Sequence, residues 1–516
     1  MDTDVLVVGA GPTGLMAANQ LLRFGVDFLI IDSKDGPTRE SRAIGVTPRS
    51  LEIYQQLGLS DEVLADAANI SSVNVFHGGS RKARVDIGEV GVGLSDFTSL
   101  IAYEQSKNET LLARNLKDNR HEVMWKTAFE SFVERDDGVE VSVRPADGES
   151  FTIRCKYLVA CDGAKSPVRH QLGCRFDGGT YEHKFFVADT ELTWPMDYDQ
   201  MVVAPGKKNF CAFFPLKGGR TYRVIGTLPV EYSNVDDVGF SDIEAQVTEV
   251  LKVGVSFEKV NWFSVYKLHH RMVQQFRHSR IFLAGDSAHI HSPAGAQGMN
   301  TGLQDAYNLI WKLAFVLQGH ASDRLLNTYN EERLPFAKWL LKFTDRAFTV
   351  LTSRNWWIRM VRTQVGLRAI ALASKFKLVQ KLAFRTVSQI AYSYHRSSLS
   401  SSAHKQPLKF RAGDRLPYLP EHDLYHRMSG GGFHLLHIND APLQVEQQRQ
   451  LEQNGFPMTL VEMSRDAAWQ NQGMTGELFV VVRPDNYIAH IGERFDAELF
   501  AQPAPAFADT RRTYAN

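Results

Sequence analysis

Cysteine is scarce. Cys155, Cys161, Cys174 and Cys211 are the only four in 516 residues, irregularly spaced and without a C-x-x-C pair. That spacing excludes a disulfide framework or a cysteine-built zinc site and leaves buried, reduced thiols. Net charge is lacking as well: 58 basic residues balance 58 acidic ones, so no overall field favours nucleic acid, and a small-molecule partner is expected instead. No apolar run reaches the roughly 18 residues of a membrane span, no internal repeat occurs, and "MDTDVLVVGAG" opens on a strand with neither a basic leader nor a signal-type apolar core. The expectation is a soluble cytoplasmic protein with no transmembrane segment. Hydrophobic and charged fractions of 44% and 22% are ordinary for globular chains, and the length calls for two or three folding units.

What is present begins with "DVLVVGAGPTGLMAANQLLRFGVDFLIID". It reads as strand, glycine turn, helix and strand, a parallel βαβ unit of an α/β protein. Gly9-x-Gly11-x-x-Gly14 stands where the backbone must approach a pyrophosphate at a helix start. Asp32, 23 residues after Gly9, ends the second strand, where an acid can accept from ribose hydroxyls. This motif alone leaves FAD and NAD open. A second element, "YLVACDGAKSPVRHQLG", ends a strand at Asp162-Gly163 and carries Ser166 and Arg169 into a helix; by itself it also reads as an ordinary N-capped turn. A third, "RIFLAGDSAHIHSPAGAQGMNTGLQDA", ends a buried strand at Gly285-Asp286 and then starts a helix among glycines. A carboxylate at a strand end suits the hydroxyls of a polyol chain. The unpaired N–H groups of a helix start suit an electron-rich ring that becomes anionic on reduction. A ribityl chain and a flavin fit both demands.

These elements, in this order, resemble the class A flavoprotein aromatic hydroxylases, the group typified by para-hydroxybenzoate and phenol hydroxylases. The resemblance covers Asp4 to about Glu332 and includes "SRAIGVTPRSLEIYQQLGL", with Arg42, and "YEQSKNETLLA", with Gln105. It implies FAD as cofactor, NADPH or NADH as a transient hydride donor, and transfer of oxygen from a flavin hydroperoxide to a phenolic or polyketide-like aromatic substrate. It implies that Pro293 and Arg42 serve catalysis beside the flavin, that Gly298 and Met299, followed by Asn300, meet the pyrimidine edge, and that Asp162 and Arg169 serve FAD and the nicotinamide. The same group leaves epoxidation, Baeyer–Villiger insertion or antibiotic inactivation as uses of the same chemistry, and a flavin-bound sensor with little turnover as a reading from another class. The W-x-W-x-I-P stretch of flavin halogenases is absent.

The expected layout is a Rossmann-like FAD-binding domain over 1–177 and, with a helical segment, over 271–395. An antiparallel sheet bearing the substrate site is inserted at 178–270, a Ser-rich linker spans 396–410, and 411–516 resemble a thioredoxin-like domain without redox cysteines. Phe210, Phe213 and Pro215 are expected over the flavin, with Tyr181, Trp194 and Tyr222 as further aromatic candidates; core packing is the competing reading for each. His269, His270, His289 and His291 lack a third ligand at metal spacing, so no metal is expected. A histidine base acting on a phenol stays open. Between Arg333 and Arg396 thirteen basic residues face one acid, Asp345, whereas 411–516 hold nine basic and fourteen acidic residues, so docking of the acidic unit on the basic helices is expected, with membrane or anionic-partner binding as the alternative. A homodimer is a further expectation.

Overall fold

A computed structural model describes residues 1–39, 43–206, 209–232, 235, 237–292, 297–352, 357, 360–453 and 455–501. Its first sheet takes the Val/Ile/Leu runs that both faces of a parallel sheet demand. The strand Asp2–Val8 pairs in parallel with Phe28–Ile31 on one side and Phe151–Ala160 on the other, and the latter pairs in parallel with Ile281–Leu283. The Pro12–Arg23 helix, whose inner face from Gly14 to Leu21 is buried, packs against the long Gln297–Leu317 helix. All carboxyl ends of these parallel strands therefore open on one side, where ligands of such sheets bind.

The second sheet lies over that opening. Its eight strands run in the order His289–Ile290, Ser256–Met272, Asp177–Thr193, Thr221–Thr227, Phe210–Pro215, Gln200–Pro205, Ser72–His77 and Ser80–Asp86. The expected 178–270 boundary is too narrow. The Ser72–Asp86 hairpin and the His289–Ile290 strand come from outside it, and Gln200–Pro205 pairs with Ser72–His77 in parallel. The far face of the sheet is closed by the Phe240–Leu251 helix, which inserts Phe240, Ile243, Val247 and Leu251 into a core with Phe213, Tyr222 and Trp194.

The C-terminal unit is a five-stranded mixed sheet, with Phe433–Ile438 flanked by Met458–Met463 and Leu478–Val482, and its own core around Trp469 and Leu436. Ser401–Ala403 supplies its edge strand, Leu399 is 2% exposed, and Ser397 donates to Glu332 at 2.7 Å. The Ser-rich stretch is thus built into the fold; it is not a free linker. Among the described residues the acidic unit meets the basic segment only at its end, where Tyr487 packs 4.3 Å from Tyr394 and His395 pairs with Asp414, while Phe433 and Phe479 join the core of Trp311 and Phe315 on the Gln297–Leu317 helix. Among the described residues no helix is long and apolar enough to cross a membrane.

Candidate active site

Between the two sheets lies a cavity of about 1090 Å³, larger than most single-ligand sites. The glycine turn forms one end, and its three glycines do different work. Gly9 has φ +100°, and a Cβ there would fall 2.4 Å from the Cys161 carbonyl oxygen; at Gly14 a Cβ would fall 1.8 Å from the Gly9 carbonyl oxygen. Both serve chain-to-chain approach. Gly11 has open space where its Cβ would be, and it begins the Pro12–Arg23 helix without a side-chain cap, so N–H groups of the first turn have no side-chain acceptor. That is a cradle for an anion. Asp32 borders it, with one carboxylate oxygen accepting from Ala10 N–H (2.6 Å) and the other from Lys34 N–H (2.8 Å). Sequence reasoning missed Lys34 and Glu109, which join Gln105 in the same wall. Glu109, fully buried, accepts from Gln105 Nε2 (2.8 Å), Lys34 Nζ (3.2 Å) and Thr38 N–H (2.7 Å). The four-residue spacing of Gln105 and Glu109 on one helix was the available signal.

At mid-cavity Asp162 follows the Phe151–Ala160 strand. Its Oδ2 accepts from Val168 N–H (3.1 Å), while Oδ1 is buried with no partner among the described residues, and burial pushes its pKa up. Asp286, by contrast, is solvent-exposed within the same void. No described group hydrogen-bonds to it, and desolvation by the cavity walls raises its pKa despite the nearby His289. Two carboxylates with unmet acceptor capacity facing one void fit a polyhydroxyl ligand. The turn before Asp286 is held by Gly285, at φ +62°, where a Cβ would meet Thr13 Oγ1 at 2.4 Å. Gly285 N–H donates to Asp305, which also takes His289 Nε2 and Arg333 Nε at 2.7 Å each.

The Gln297–Leu317 helix brings Gly298 and Met299 to the cavity wall. Asn300 is turned away: its Oδ1 accepts from Ser50 Oγ (2.7 Å) and Thr47 N–H (3.0 Å), and its Nδ2 donates to Gly45 O (2.9 Å). It ties the helix start to the neighbouring strand and does not line the void. Arg169 likewise braces and does not line. It is 2% exposed, donates to Ser287 O (2.9 Å) and Ala164 O (2.8 Å), and lies 3.9 Å from the Phe176 ring. Arg42 and Pro293 lie outside the described residues.

His291 was not singled out beyond the histidine group, yet it lines the cavity. Its Nδ1 meets Ser292 O at 2.9 Å, and since a carbonyl only accepts, the proton sits on Nδ1. Nε2 is then an acceptor, buried and unpartnered among the described residues. Burial drives the His291 pKa down to about 4. A base whose folded pKa is lowered carries stability that is present above its unfolded value of about 6.5 and is lost as pH falls toward the folded one. Urea midpoints are accordingly expected to fall between about pH 6.5 and 4, with a shallower decline in His291→Leu; parallel curves for the two proteins would remove this assignment.

Residues 2–344 match the family model described as FAD binding domain. The chain belongs to that family. Among its relatives in the family is the 6-methylpretetramide 4-monooxygenase of Streptomyces rimosus, 33% identical over 80% of this chain and 72% of that one. The rifampicin monooxygenase of Rhodococcus hoagii is 30% identical over 99% of this chain and 100% of that one. The solved structure of the OxyS anhydrotetracycline hydroxylase from Streptomyces rimosus superposes with a TM-score of 0.77 at 26% identity, covering 99% and 100% of the two chains. This FAD-binding protein is, like these, an FAD-dependent monooxygenase that draws on NAD(P)H.

The wall facing the FAD-binding sheet is where sequence expectation and structure part. Phe213 and Tyr222 are fully buried on the far face of the antiparallel sheet, packed on Trp194 at ring distances of 5.7 and 4.7 Å. Pro215 is buried on the same side as Phe213, and Phe210 lies at the strand start, neither of them lining the cavity. Tyr181 instead donates to Asp345 Oδ1 (2.6 Å) and packs edge-on against His270. The cavity is lined by Phe214, Ile225, Trp262 and Tyr266. The error is one residue of strand register, which moves a side chain to the opposite face. In "NWFSVYKL" Trp262, Ser264, Tyr266 and Leu268 border the cavity, but so do Phe263 and Lys267, so alternation did not mark the facing residues. Arg223, one residue past Tyr222, supports this wall. It donates twice to Asp189 (2.7 Å each) and once to Ala43 O (3.2 Å), with Trp262 5.6 Å from its guanidinium.

Proposed function

We propose that the protein hydroxylates a phenolic, polyketide-like aromatic compound with NAD(P)H and O2 at the seam between its two sheets. The observation that carries this reading is the continuity of one cavity from the Gly11 cradle to the Phe214–Trp262–Tyr266 wall. In it the first turn after Gly11 receives the pyrophosphate, Asp32 the ribose, Asp286 the ribityl hydroxyls, and the backbone at Gly298 and Met299 the pyrimidine edge. Gly9, Gln105, Asp162 and Gly285 shape that bed, Arg169 and Asn300 position it, and Arg42 and Pro293 keep the flavin-side roles that the resemblance implies. FAD, when bound, accepts hydride from NAD(P)H and activates O2. The chain itself orients the aromatic ring against Trp262, excludes water through Phe214 and Ile225, and offers His291 Nε2 as acceptor for a substrate hydroxyl. The substrates named for the relatives, 6-methylpretetramide and rifampicin, favour a polyketide-like compound and make antibiotic inactivation the second reading.

Anaerobic stopped-flow reduction by NADPH and NADH, with a panel of phenols, quinones and aromatic polyketides, tests this. Acceleration by one compound, followed by an oxygenated product after O2 is admitted, is expected; uniformly slow reduction would favour the sensor reading. Trp262→Ala is expected to abolish the acceleration and Tyr222→Phe to leave it unchanged, since only Trp262 borders the cavity. Asp286→Ala is expected to weaken FAD binding at least tenfold, the worth of a charge-assisted hydrogen bond of about 1.5–3 kcal/mol, read from flavin absorbance after dialysis; full occupancy would contradict the ribityl assignment.

We also infer that the C-terminal unit is a cysteine-free thioredoxin-like domain with a structural role. Its Arg483 and Asp485 enter the core beside the Gln297–Leu317 helix, and no cysteine follows Cys211.

A further inference from the structure

Of the twenty large apolar side chains exposed among the described residues, thirteen fall between Trp339 and Leu382. Such a concentration marks an interaction surface. Two helices in this stretch share one pattern. On Asn327–Thr352, Lys338, Lys342 and Arg346 form a stripe at four-residue spacing, and Trp339 and Phe343, one position on, form a second stripe with rings stacked 5.6 Å apart. On Lys377–Val387 the cationic stripe is Lys377, Lys381 and Arg385, and the apolar one is Leu378, 81% exposed, and Leu382, 65% exposed. All six cations are exposed, and none forms an ion pair with a described acid. The one acid of the segment, Asp345, accepts from Tyr181 and faces His270 at 3.9 Å, so it neutralises neither stripe.

We propose that these two striped helices dock the protein on the surface of an anionic lipid bilayer. Aliphatic and aromatic side chains beside a lysine and arginine row are what a helix lying in the headgroup boundary presents, the cations meeting lipid phosphates while the apolar row enters the acyl margin. A second copy of this chain is the poorer occupant, because a two-fold contact through these helices gathers the cationic rows of both copies into one interface without an acid of the stripes to pair them. The acidic C-terminal unit of the same chain is not the occupant, since its described contacts with this segment fall between Tyr392 and His395, beyond both striped helices. Among the described residues no helix is long and apolar enough for spanning, so the proposed attachment is peripheral. The proposal stands independently of the substrate assignment.

Flotation of the FAD-loaded protein with vesicles of phosphatidylcholine alone, or mixed with phosphatidylserine, tests it. Binding to the mixed vesicles is expected, weaker by about tenfold on phosphatidylcholine alone or in high salt. Leu378→Glu/Leu382→Glu and, on the other helix, Lys338→Glu/Lys342→Glu are each expected to lower binding about tenfold with flavin absorbance and urea midpoint unchanged. Absence of wild-type binding to the mixed vesicles would overturn the proposal. So would binding indifferent to all four substitutions, or a dimer in light scattering that Leu378→Glu/Leu382→Glu disperses.

Discussion

Arg483→Met is expected to lower the unfolding free energy by about 3–5 kcal/mol, the cost of stranding a buried charge. Arg483 is fully enclosed and donates to both oxygens of Glu332 (2.5 and 3.0 Å) and both of Asp485 (2.9 and 2.5 Å). Glu332 is also fully buried and takes Lys312 Nζ at 2.7 Å. Without the guanidinium, two enclosed carboxylates share one ammonium. The consequence reaches the cavity, because the residue after Glu332 is Arg333, which holds Asp305, and Asp305 holds Gly285 N–H and His289 beside Asp286. FAD release should therefore accompany the loss of stability. The pH dependence has a definite sign. Burial alone would raise the Glu332 pKa, but Arg483 and Lys312 outweigh it and hold the group below the usual carboxylate range. A depressed carboxyl contributes stability above its unfolded value of about 4.3 and loses it as pH falls toward the folded one. In Arg483→Met that acid limb should move to higher pH. Urea unfolding across pH 3 to 8 checks both points; a loss under about 1 kcal/mol at neutral pH would mean that the network contributes little.

Gly14→Ala and Gly11→Ala should fail in different ways. At Gly14 the new methyl would lie 1.8 Å from the Gly9 carbonyl oxygen of the same turn, and no rotamer change relieves a backbone clash. A loss of roughly 4 kcal/mol or more, seen as insoluble or flavin-free protein, is expected. At Gly11 a Cβ meets nothing within 4 Å, so the apo protein should unfold at the wild-type urea concentration while FAD binds at least tenfold more weakly, as the methyl occupies the pyrophosphate cradle. Circular dichroism melts of the apo proteins with FAD titrations separate the two outcomes. Equal flavin affinity in Gly11→Ala and wild type would move the phosphate site elsewhere.

Much of the cavity's lining was legible before the fold. Gly9, Gly11, Asp32, Gln105, Asp162, Asp286, Gly298 and Met299 all border the cavity. They were readable because local chemistry dictates them: a turn too tight for a side chain, an acid at a strand end, a helix start with unpaired N–H groups. Arg169 and Asn300 sit in the same motifs but point inward, a choice made by partners distant in sequence, Ser287 for one and Thr47 and Ser50 for the other.

The sequence by itself determined the parallel βαβ start, the flavin motifs and the family. Only the tertiary structure decided which aromatic residues face the cavity and what the Ser-rich and acidic C-terminal stretches do. Phe210–Pro215 and Thr221–Thr227 are buried on both sides, so their apolar runs carry no alternation from which to choose between the flavin and the Phe240–Leu251 helix. Lys312, Glu332, Arg483 and Asp485 read singly as surface charges, since such residues are seldom buried unless paired. Their pairing joins positions up to 151 residues apart, and only the packed chain brings them within hydrogen-bond reach.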